Sequence, residues 1–237
     1  MKLGIMQPYF FPYLGYFSLI ANTDHFIFFD TPQYERRSWM NRNRILNANG
    51  EPAYISVPVH KVPQQTAIKD IKIDYSNDWA ASMIARMVHY KKYAPHYSEI
   101  SELFQNLLSK KDDSLSKLNI ETTVAVCRYL GITTSFETFS EMNLEIDEVH
   151  APDEWALEIT KAMDYDTYVN PPGGADFFDN EKYIKAGIEL QFLKNNLPTY
   201  VQRIGKFVPG LSIIDVLMFN SINEIREMLD DNTIIKK

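Results

Sequence analysis

Cysteine is almost absent from this chain of 237 residues, in which Cys127 is the only one. A single cysteine cannot form an internal disulfide and cannot supply the thiolate pairs of structural zinc sites. Apolar helical neighbours predict that Cys127 is a buried packing residue and not a nucleophile. Metal-ligand spacing is also lacking among the five histidines, which are His25, His60, His89, His96 and His150. The sequence therefore predicts no dedicated metal site.

Long apolar runs are lacking as well. A secretory signal needs a basic start and an apolar run of roughly 7 to 15 residues, but Gln7, Pro8 and Pro12 interrupt the first apolar stretch. No later stretch reaches the roughly 18 uninterrupted apolar residues of a membrane span. We therefore expect a cytoplasmic protein that does not span a membrane.

Basic residues are outnumbered, because 24 Lys and Arg face 31 Asp and Glu, which gives a formal charge of -7. Proteins held to nucleic acid or anionic membranes mainly by Lys and Arg carry the opposite balance. Familiar nucleotide and nucleophile motifs are missing too: there is no phosphate loop, no GxSxG and no GxGxxG after a strand. The composition still allows a locally basic pocket for one phosphorylated ligand.

The first 30 residues predict a strand, a loop, a helix and a second strand. Residues 3–6 are a short apolar run, residues 14–22 carry apolar side chains at helical spacing, and residues 25–30 are an aromatic run too short for a helix. Continuous apolar strands are typical of a parallel sheet covered by helices on both faces. This opening is a βαβ unit.

An Asn-Gly pair at residues 49–50 predicts a β-hairpin whose first strand covers residues 42–47. Because side chains alternate along a strand, we expect Arg42 and Arg44 on one face and Asn43 on the other.

The rest of the chain alternates helical and extended patterns. The elements predicted after the hairpin are helices near 78–92, 97–109 and 115–130, a strand near 134–138, a helix at 151–163, strands at 167–169 and 190–193 around a helix capped by Asn180, and a C-terminal helix after Ser212. Asp215 takes the capping-box position of that last helix. The pattern predicts a single α/β domain, 1–237, with a Rossmann-like, mostly parallel sheet, helices on both faces, a β-hairpin and an inserted helical lobe at about 76–131.

The loop at residues 7–13 joins the carboxyl end of the first strand to a helix. Ligands of open α/β sheets bind at that edge, where helix amides attract anions. Gly15 would let a ligand or another backbone approach the first helical turn. Alternatively, the aromatic rings only pack in the core and the prolines shape a turn. The ligand-site residues predicted here are Gln7, Tyr9, Tyr13, Gly15 and Tyr16.

The segment RRSWMNRNR places four arginines, two asparagines and a tryptophan within nine residues of an acidic protein. Guanidinium groups offer paired donors to phosphate or carboxylate and stack on rings, so a negative ligand that bears a nucleotide would fit. The alternative is a solvated, charged hairpin face. The ligand-site residues predicted here are Arg37, Trp39, Asn41, Arg42, Asn43 and Arg44.

The segment NPPGGAD follows a predicted strand in the last third of the chain. Gly173 and Gly174 would allow backbone amides to face a ligand, and Asn170 supplies a polar group. An ordinary turn also needs Pro and Gly, so this loop alone is a weak signal.

Five residues could act as acids or bases: His25, Asp30, His60, Asp176 and Asp215. Of these, we predict catalytic roles for His25, Asp30 and Asp215.

Five segments in order resemble the WbqC-like family, from about residue 4 to residue 220. They are IMQPYFFPYLGYFSLI, RRSWMNRNRI, YVNPPGG, GIELQFL and PGLSIIDVLMFN. The resemblance implies a role in bacterial surface-polysaccharide or O-antigen biosynthesis. For some members it implies that glycyl or other acyl groups are placed on amino sugars.

The opening is also distantly similar to adenylyl-transferring Rossmann-like proteins. Those proteins carry His-x-Gly-His, whose imidazoles contact ATP phosphates, where this chain has Tyr13-Leu14-Gly15-Tyr16. The likeness implies ATP with Mg as the candidate cofactor. A tyrosine hydroxyl brings no positive charge, so Arg42, Arg44 or a metal-bound nucleotide would have to stabilise the transition state.

The expected activity is transfer of an acyl or aminoacyl (glycyl) group to the amine of a nucleotide-linked amino sugar. The expected partners are that sugar nucleotide and an acyl or amino-acid donor, and His25 or Asp30 would deprotonate the ammonium. Three alternatives remain: a non-catalytic sugar-nucleotide-binding or assembly protein of the same pathway, a nucleotidyltransferase-like enzyme, and a tRNA-associated protein, which the net charge disfavours.

Overall fold

The computed structural model describes residues 1–203 and 205–236. Its strands are β1 (Lys2–Met6), β2 (His25–Phe28), β3 (Arg42–Leu46), β4 (Pro52–Ser56), β5 (Ser135–Thr138), β6 (Thr167–Asn170), β7 (Glu189–Asn195) and β8 (Asn232–Lys236). Six of them form one sheet in the order β5-β2-β1-β6-β7-β8, and β3 pairs with β4 as a separate hairpin. Five strands of the large sheet are parallel and β8 is antiparallel. The predicted α/β class is confirmed.

The helices of the described residues are α1 (Leu14–Ala21), α2 (Trp79–Met87), α3 (Tyr97–Leu108), α4 (Leu115–Leu130), α5 (Glu154–Ala162), α6 (Asn180–Lys185), α7 (Ile213–Phe219) and α8 (Ile222–Asp230). Within residues 1–203 and 205–236, none of these helices combines the length and the apolarity that crossing a bilayer requires. The sequence predicted a C-terminal helix after Ser212, which is α7, and it did not predict α8 or β8.

Both faces of the sheet are covered. In β2, Phe26 and Phe28 join one hydrophobic core and Ile27 joins the other. The first core includes side chains of α1, α7 and α8, and the second includes side chains of α5 and α6. Because alternate side chains of one strand enter two different cores, the strand needs a continuous apolar run, which is the pattern that predicted a parallel sheet.

The helical segment formed by α2, α3 and α4 packs into the same core as α1. Phe104 of α3 meets Phe11 edge to face at 4.9 Å between ring centroids, and Trp79 of α2 meets Phe10 at 6.5 Å. The two phenylalanines belong to the loop after β1, so this segment supports the loop from one side.

Two helix caps differ from the prediction. Ser212 caps α7 as expected, accepting a hydrogen bond from the Ile214 amide, but Asp215 makes no capping box and enters the core instead. The capping box is formed by Ser221 and Glu224, which open α8. Asp179, and not Asn180, caps α6, through the hydrogen bond that its carboxylate accepts from the Glu181 amide.

Candidate functional site

The loops that follow β1 and β6 meet at the carboxyl edge of the sheet. β2 lies on one side of β1 and β6 on the other, so the strand order reverses here, which is where ligands bind in open α/β sheets. A cleft of about 480 Å³ opens at this point. We call it the aromatic cleft, because its lining includes Tyr9, Phe29, Trp155, Tyr168, Phe177 and Phe178.

Gln7 and Tyr9, two predicted site residues, line the aromatic cleft. The Tyr9 hydroxyl donates to Gln7 Oε1 at 3.3 Å, and the Tyr16 hydroxyl donates to the Gln7 carbonyl at 2.9 Å. Burial raises the pKa of both tyrosines, and the Glu35 carboxylate adds to the effect on Tyr9. Both hydroxyls therefore stay protonated at neutral pH. Aromatic walls with few polar groups suit a planar base or a sugar ring.

Three cleft residues, Trp155, Phe177 and Phe178, were missed by the sequence reasoning. Their places in the sequence could have indicated the site: Trp155 lies in the first turn of α5, and the two phenylalanines directly follow the predicted Gly-rich loop. Phe177 is 54% exposed, which is unusual for a large apolar side chain and fits a role at the rim of a ligand site.

Gly15 leaves space for the side chain of a nearby residue, Tyr13. A Cβ at this position would lie 2.4 Å from Tyr13 Cε2, so the tyrosine ring occupies the space above the first turn of α1. The prediction that a ligand or another backbone approaches Gly15 is therefore corrected: the missing side chain makes room for Tyr13.

Replacing Gly15 by alanine is expected to lower the free energy of unfolding by about 1 kcal/mol. Overpacking against the ring costs about 1–3 kcal/mol, and the better helix propensity of alanine returns up to about 1 kcal/mol. Urea denaturation measures the difference. Gly173→Ala is the control, since a Cβ there meets no atom within 4 Å. A Gly15→Ala protein as stable as the parent would contradict this packing.

The two arginines of β3 share one face of the hairpin, as predicted. Arg42 Cζ lies 4.4 Å from the centre of the Tyr54 ring, and Arg44 Cζ lies 5.6 Å from that of Trp39. The Nε atoms of both arginines are buried and have no hydrogen-bond partner in the described part of the chain. The ion pairs found there include neither arginine. We call Arg42, Arg44, Trp39 and Tyr54 the arginine face.

Asn43 points the other way and holds the loop at residues 7–13. Its Nδ2 donates to the carbonyls of Phe10 and Phe11 at 3.1 and 2.8 Å. Phe11 has a φ of 40°, a left-handed conformation that is uncommon for a side chain of this size. Asn43, predicted to bind ligand, is buried and instead fixes this strained backbone.

Two further residues, Ser212 and Asn119, fix the same loop. Ser212 Oγ donates to the Phe11 carbonyl at 2.8 Å, while the Ser212 amide donates to the Arg44 carbonyl at 2.8 Å. Asn119 Nδ2 donates to the carbonyls of Pro8 and Met40 at 3.0 and 2.7 Å. These hydrogen bonds connect the aromatic cleft loop to the arginine hairpin.

The remaining residues of the arginine segment lie beside this face. Asn41 Nδ2 donates to the Val57 carbonyl at 3.2 Å, while Asn41 Oδ1 is buried and has no partner among the described residues. Trp39 is 42% exposed, so a ligand can reach part of its side chain. Arg37 is exposed and has a φ of 57°.

The Gly-rich loop after β6 lies beside the aromatic cleft. Asn170 Oδ1 accepts a hydrogen bond from the hydroxyl of the cleft residue Tyr168 at 2.8 Å. A Cβ on Gly174 would lie 2.2 Å from Asn170 Nδ2, whereas Gly173 faces open space. The absence of a side chain at Gly174 thus admits Asn170, and Gly173 is left as the glycine that a ligand can approach.

Asp30 is the one predicted catalytic residue at the carboxyl edge. It follows β2, is buried, and accepts hydrogen bonds from the Ser140 amide and hydroxyl at 3.1 and 2.7 Å. His25 begins the same strand, so it lies at the opposite edge of the sheet. There, its Nδ1 is 3.1 Å from the Tyr165 hydroxyl and its Nε2 is 2.9 Å from Glu137 Oε2. The structure does not bring His25 to the cleft.

Asp215 lies in the core. It accepts hydrogen bonds from the hydroxyls of Tyr90 and Tyr200 at 2.5 and 2.6 Å and from Gln202 Nε2 at 3.0 Å. The side chain is completely buried, and burial raises the pKa of its carboxyl group. A general base must reach the substrate proton, so this placement fits a structural role in place of the predicted catalytic one.

The other reactive side chains lie outside the cleft. His60 and Asp176 are exposed. Cys127 is buried, and burial raises the pKa of its thiol well above the usual range, so it carries no thiolate at neutral pH. Within the described residues, no group of three His, Cys, Asp or Glu side chains is placed to hold a metal ion.

Comparison with known proteins matches most of the chain to one family. Residues 7–227 match the sequence model of the WbqC-like protein family. The chain is 31% identical over 222 residues to a protein of Mycobacterium tuberculosis (strain ATCC 25618 / H37Rv) named "Uncharacterized protein Rv1507c", and the match covers 92% of this chain and 93% of that protein. No solved structure gives a significant match. Since the match includes the cleft loop, the arginine hairpin and the Gly-rich loop, the chain belongs to the WbqC-like protein family.

Proposed function

We propose that this protein modifies a nucleotide-linked amino sugar by transferring an acyl or aminoacyl group to the sugar amine. The observation that carries the proposal is the arginine face, where two guanidinium groups without acidic partners among the described residues stack on aromatic rings, in a hairpin that is hydrogen-bonded to the loop at residues 7–13. Such groups bind phosphate through paired, charge-assisted hydrogen bonds. The resemblance to the WbqC-like family supports a substrate of surface-polysaccharide biosynthesis.

The substrate would lie across the loop at residues 7–13. Arg42 and Arg44 bind the diphosphate, and the exposed part of Trp39 stacks on the base. The sugar lies toward the aromatic cleft, where Gln7 supplies a polar contact. Gly173 allows the second substrate to approach the chain closely.

The chemical step joins the sugar amine to an activated acyl compound. The nitrogen lone pair attacks the acyl carbonyl carbon, a C–N bond forms, and the bond to the leaving group breaks as that group takes its electron pair. The proton lost from nitrogen passes to a base. Asp30 is the proposed base, because it is the predicted catalytic carboxylate at the carboxyl edge and lines a neighbouring cavity, while Phe29 and Thr31, the residues before and after it, line the aromatic cleft.

The residues at the start of α1 do not fit the ATP and Mg implied by the adenylyl-transferase likeness. The Tyr13 ring fills the space above Gly15, and the Tyr16 hydroxyl already donates to the Gln7 carbonyl. Neither residue supplies the positive charge that phosphate displacement needs. We therefore assign no step to ATP, and the acyl donor is taken as already activated.

A second candidate function is sugar-nucleotide binding without catalysis. It is favoured by the aromatic cleft, whose titratable lining residues Tyr9 and Tyr168 both have a raised pKa and cannot act as bases at neutral pH. Under this alternative, Arg42 and Arg44 would still bind the ligand, and Asp30 would have no effect on any reaction.

Mass spectrometry of a reaction mixture tests the proposal. The purified protein is incubated with UDP-glucosamine and a panel of acyl and aminoacyl thioesters. We expect a product heavier by one acyl group, and we expect Asp30→Asn to abolish its formation while UDP-glucosamine still binds. Binding of UDP-glucosamine without any acylated product from the panel would support the non-catalytic alternative and contradict the transfer.

A further inference from the structure

A second cavity, of about 470 Å³, lies between the first turns of α4 and the ends of β2 and β5. Asp30 and Ser116 both line it. In the segment after β2, Phe29 and Thr31 line the aromatic cleft while Asp30 lines this second cavity. We call it the Asp30 cavity.

The Asp30 carboxylate has unused acceptor capacity. A carboxylate offers about four lone-pair positions, and the hydrogen bonds that Asp30 accepts within the described residues both come from Ser140. The side chain is only 2% exposed, and none of the ion pairs found there supplies it with a cation. A buried charge without a counter-ion is costly, so the site favours a ligand that brings one.

Ser116 gives an independent sign of a ligand. It is the second residue of α4 and is 3% exposed, and its hydroxyl has no hydrogen-bond partner in the described structure. Buried hydroxyls in folded proteins are nearly always hydrogen-bonded. Among the described residues, this cavity lining thus combines a hydroxyl without a partner and a carboxylate with spare acceptor positions, and the two together indicate a donor that is supplied from outside.

The charges around the cavity favour a cation. Its lining includes two lysines and four carboxylates, which are those of Asp30, Asp70, Glu121 and Glu141. One of the lysines, Lys117, is already paired with Asp112 at 2.6 Å, and one of the carboxylates, Glu121, is paired with Lys110 at 4.0 Å, which leaves three carboxylates and one lysine in the lining. The N-terminus of α4 would favour an anion, but Ser114 Oγ accepts from the Lys117 amide and the Leu115 amide donates to Ile71. The carboxylates therefore dominate.

We propose that the Asp30 cavity binds a small molecule through a primary ammonium group, which donates to the Asp30 carboxylate and to Ser116 Oγ. An organic cation fits better than a metal ion, since no metal-binding cluster occurs within the described residues. Binding of an amine in this cavity does not depend on the proposed function. Only the role of the bound amine rests on that function: the amine belongs either to the sugar acceptor or to an aminoacyl donor. The ammonium nitrogen then lies against the base that deprotonates it.

Titration of the ¹⁵N-labelled chain of 237 residues with three probes tests the inference without any turnover. The probes are D-glucosamine, glycine and N-acetyl-D-glucosamine. We expect an amine to shift the amide signals of Ser116 and Ser140, and N-acetyl-D-glucosamine to leave them unchanged. A response to D-glucosamine identifies an acceptor site, and a response to glycine alone identifies a donor site. Equal responses to the sugar amine and its amide, or no response to either amine, would overturn the inference.

Variants separate the cavity from the arginine face. Asp30→Asn should weaken amine binding at least tenfold, because a neutral amide replaces the counter-ion, and Ser116→Ala should weaken it severalfold without removing a native hydrogen bond. Asp230→Asn, at an exposed carboxylate of α8, is the matched control with unchanged affinity. Unchanged affinity in Asp30→Asn would rule out the cavity, while intact UDP-glucosamine binding in the same variant would leave the sugar-nucleotide proposal standing.

Discussion

Replacing Asp215 by alanine is expected to lower the free energy of unfolding by about 3–5 kcal/mol, the largest stability effect we anticipate in this chain. The variant leaves the hydroxyls of Tyr90 and Tyr200 and the amide of Gln202 without their buried acceptor. Each unpaired buried donor costs about 1–3 kcal/mol. Urea denaturation followed by circular dichroism measures the decrease.

The same substitution should also weaken ligand binding, although Asp215 faces no substrate. Tyr90 accepts a hydrogen bond from the Leu46 amide at 3.0 Å and donates to Asp215 at 2.5 Å, so the carboxylate is connected to the last residue of β3. Gln202 bonds Asp215 and both backbone groups of Val208, which anchors the loop before α7. Removal of the Asp215 carboxylate would loosen the strand that carries the two arginines.

Asp215→Asn is the matched control for this network. Burial raises the pKa of Asp215 above the ordinary value of 3.8, so the folded chain holds this proton to a higher pH than the unfolded chain does. The contribution of Asp215 to stability is therefore greatest below pH 3.8 and falls as the pH rises through the raised pKa. The asparagine variant should lack this part of the pH dependence. An Asp215→Ala protein whose free energy of unfolding lies within about 1 kcal/mol of that of the parent would contradict the network.

The sheet could be predicted from the sequence because the apolar pattern of each strand is contained in a few consecutive residues. A strand such as β2, whose alternate side chains enter two cores, must be apolar throughout, and that pattern is visible in one chain. The cap at Ser212 was visible for the same reason, since it depends on residues within one turn. β8 was not predicted, because the sequence of a short antiparallel edge strand with exposed side chains resembles that of an ordinary chain terminus.

The site was only partly visible because its contacts are distant in sequence. Asp215 looked like a capping residue, yet one of its partners, Tyr90, lies 125 residues away. Asn43 looked like a ligand residue because the sequence does not show that the Phe10 and Phe11 carbonyls need donors. His25 could have been excluded from the sequence, because a residue that begins a parallel strand lies at the edge opposite to the ligand edge.

Alanine at Arg42 or Arg44 is expected to weaken binding of a sugar nucleotide by roughly 10- to 100-fold, because the variant removes a charge-assisted hydrogen bond worth about 1.5–3 kcal/mol. The free energy of unfolding should change little, because neither guanidinium group forms an ion pair in the described chain. Each substitution removes only the contact of the guanidinium with one aromatic ring. Isothermal titration with UDP-glucosamine at several salt concentrations measures both the affinity and its electrostatic part. The salt dependence should be shallower in each variant.

Two further variants distinguish specific binding from net charge. Arg128 is exposed in α4 and lies far along the chain from the hairpin. Arg128→Ala changes the net charge by the same amount as Arg44→Ala, and we expect it to bind UDP-glucosamine like the parent. Arg44→Lys keeps the charge but lacks the planar group that lies over Trp39, so we expect an intermediate affinity. If Arg128→Ala weakened binding as much as Arg44→Ala, the effect would be one of overall charge. The hairpin would then be only a solvated face, and the proposed diphosphate site would have to be abandoned.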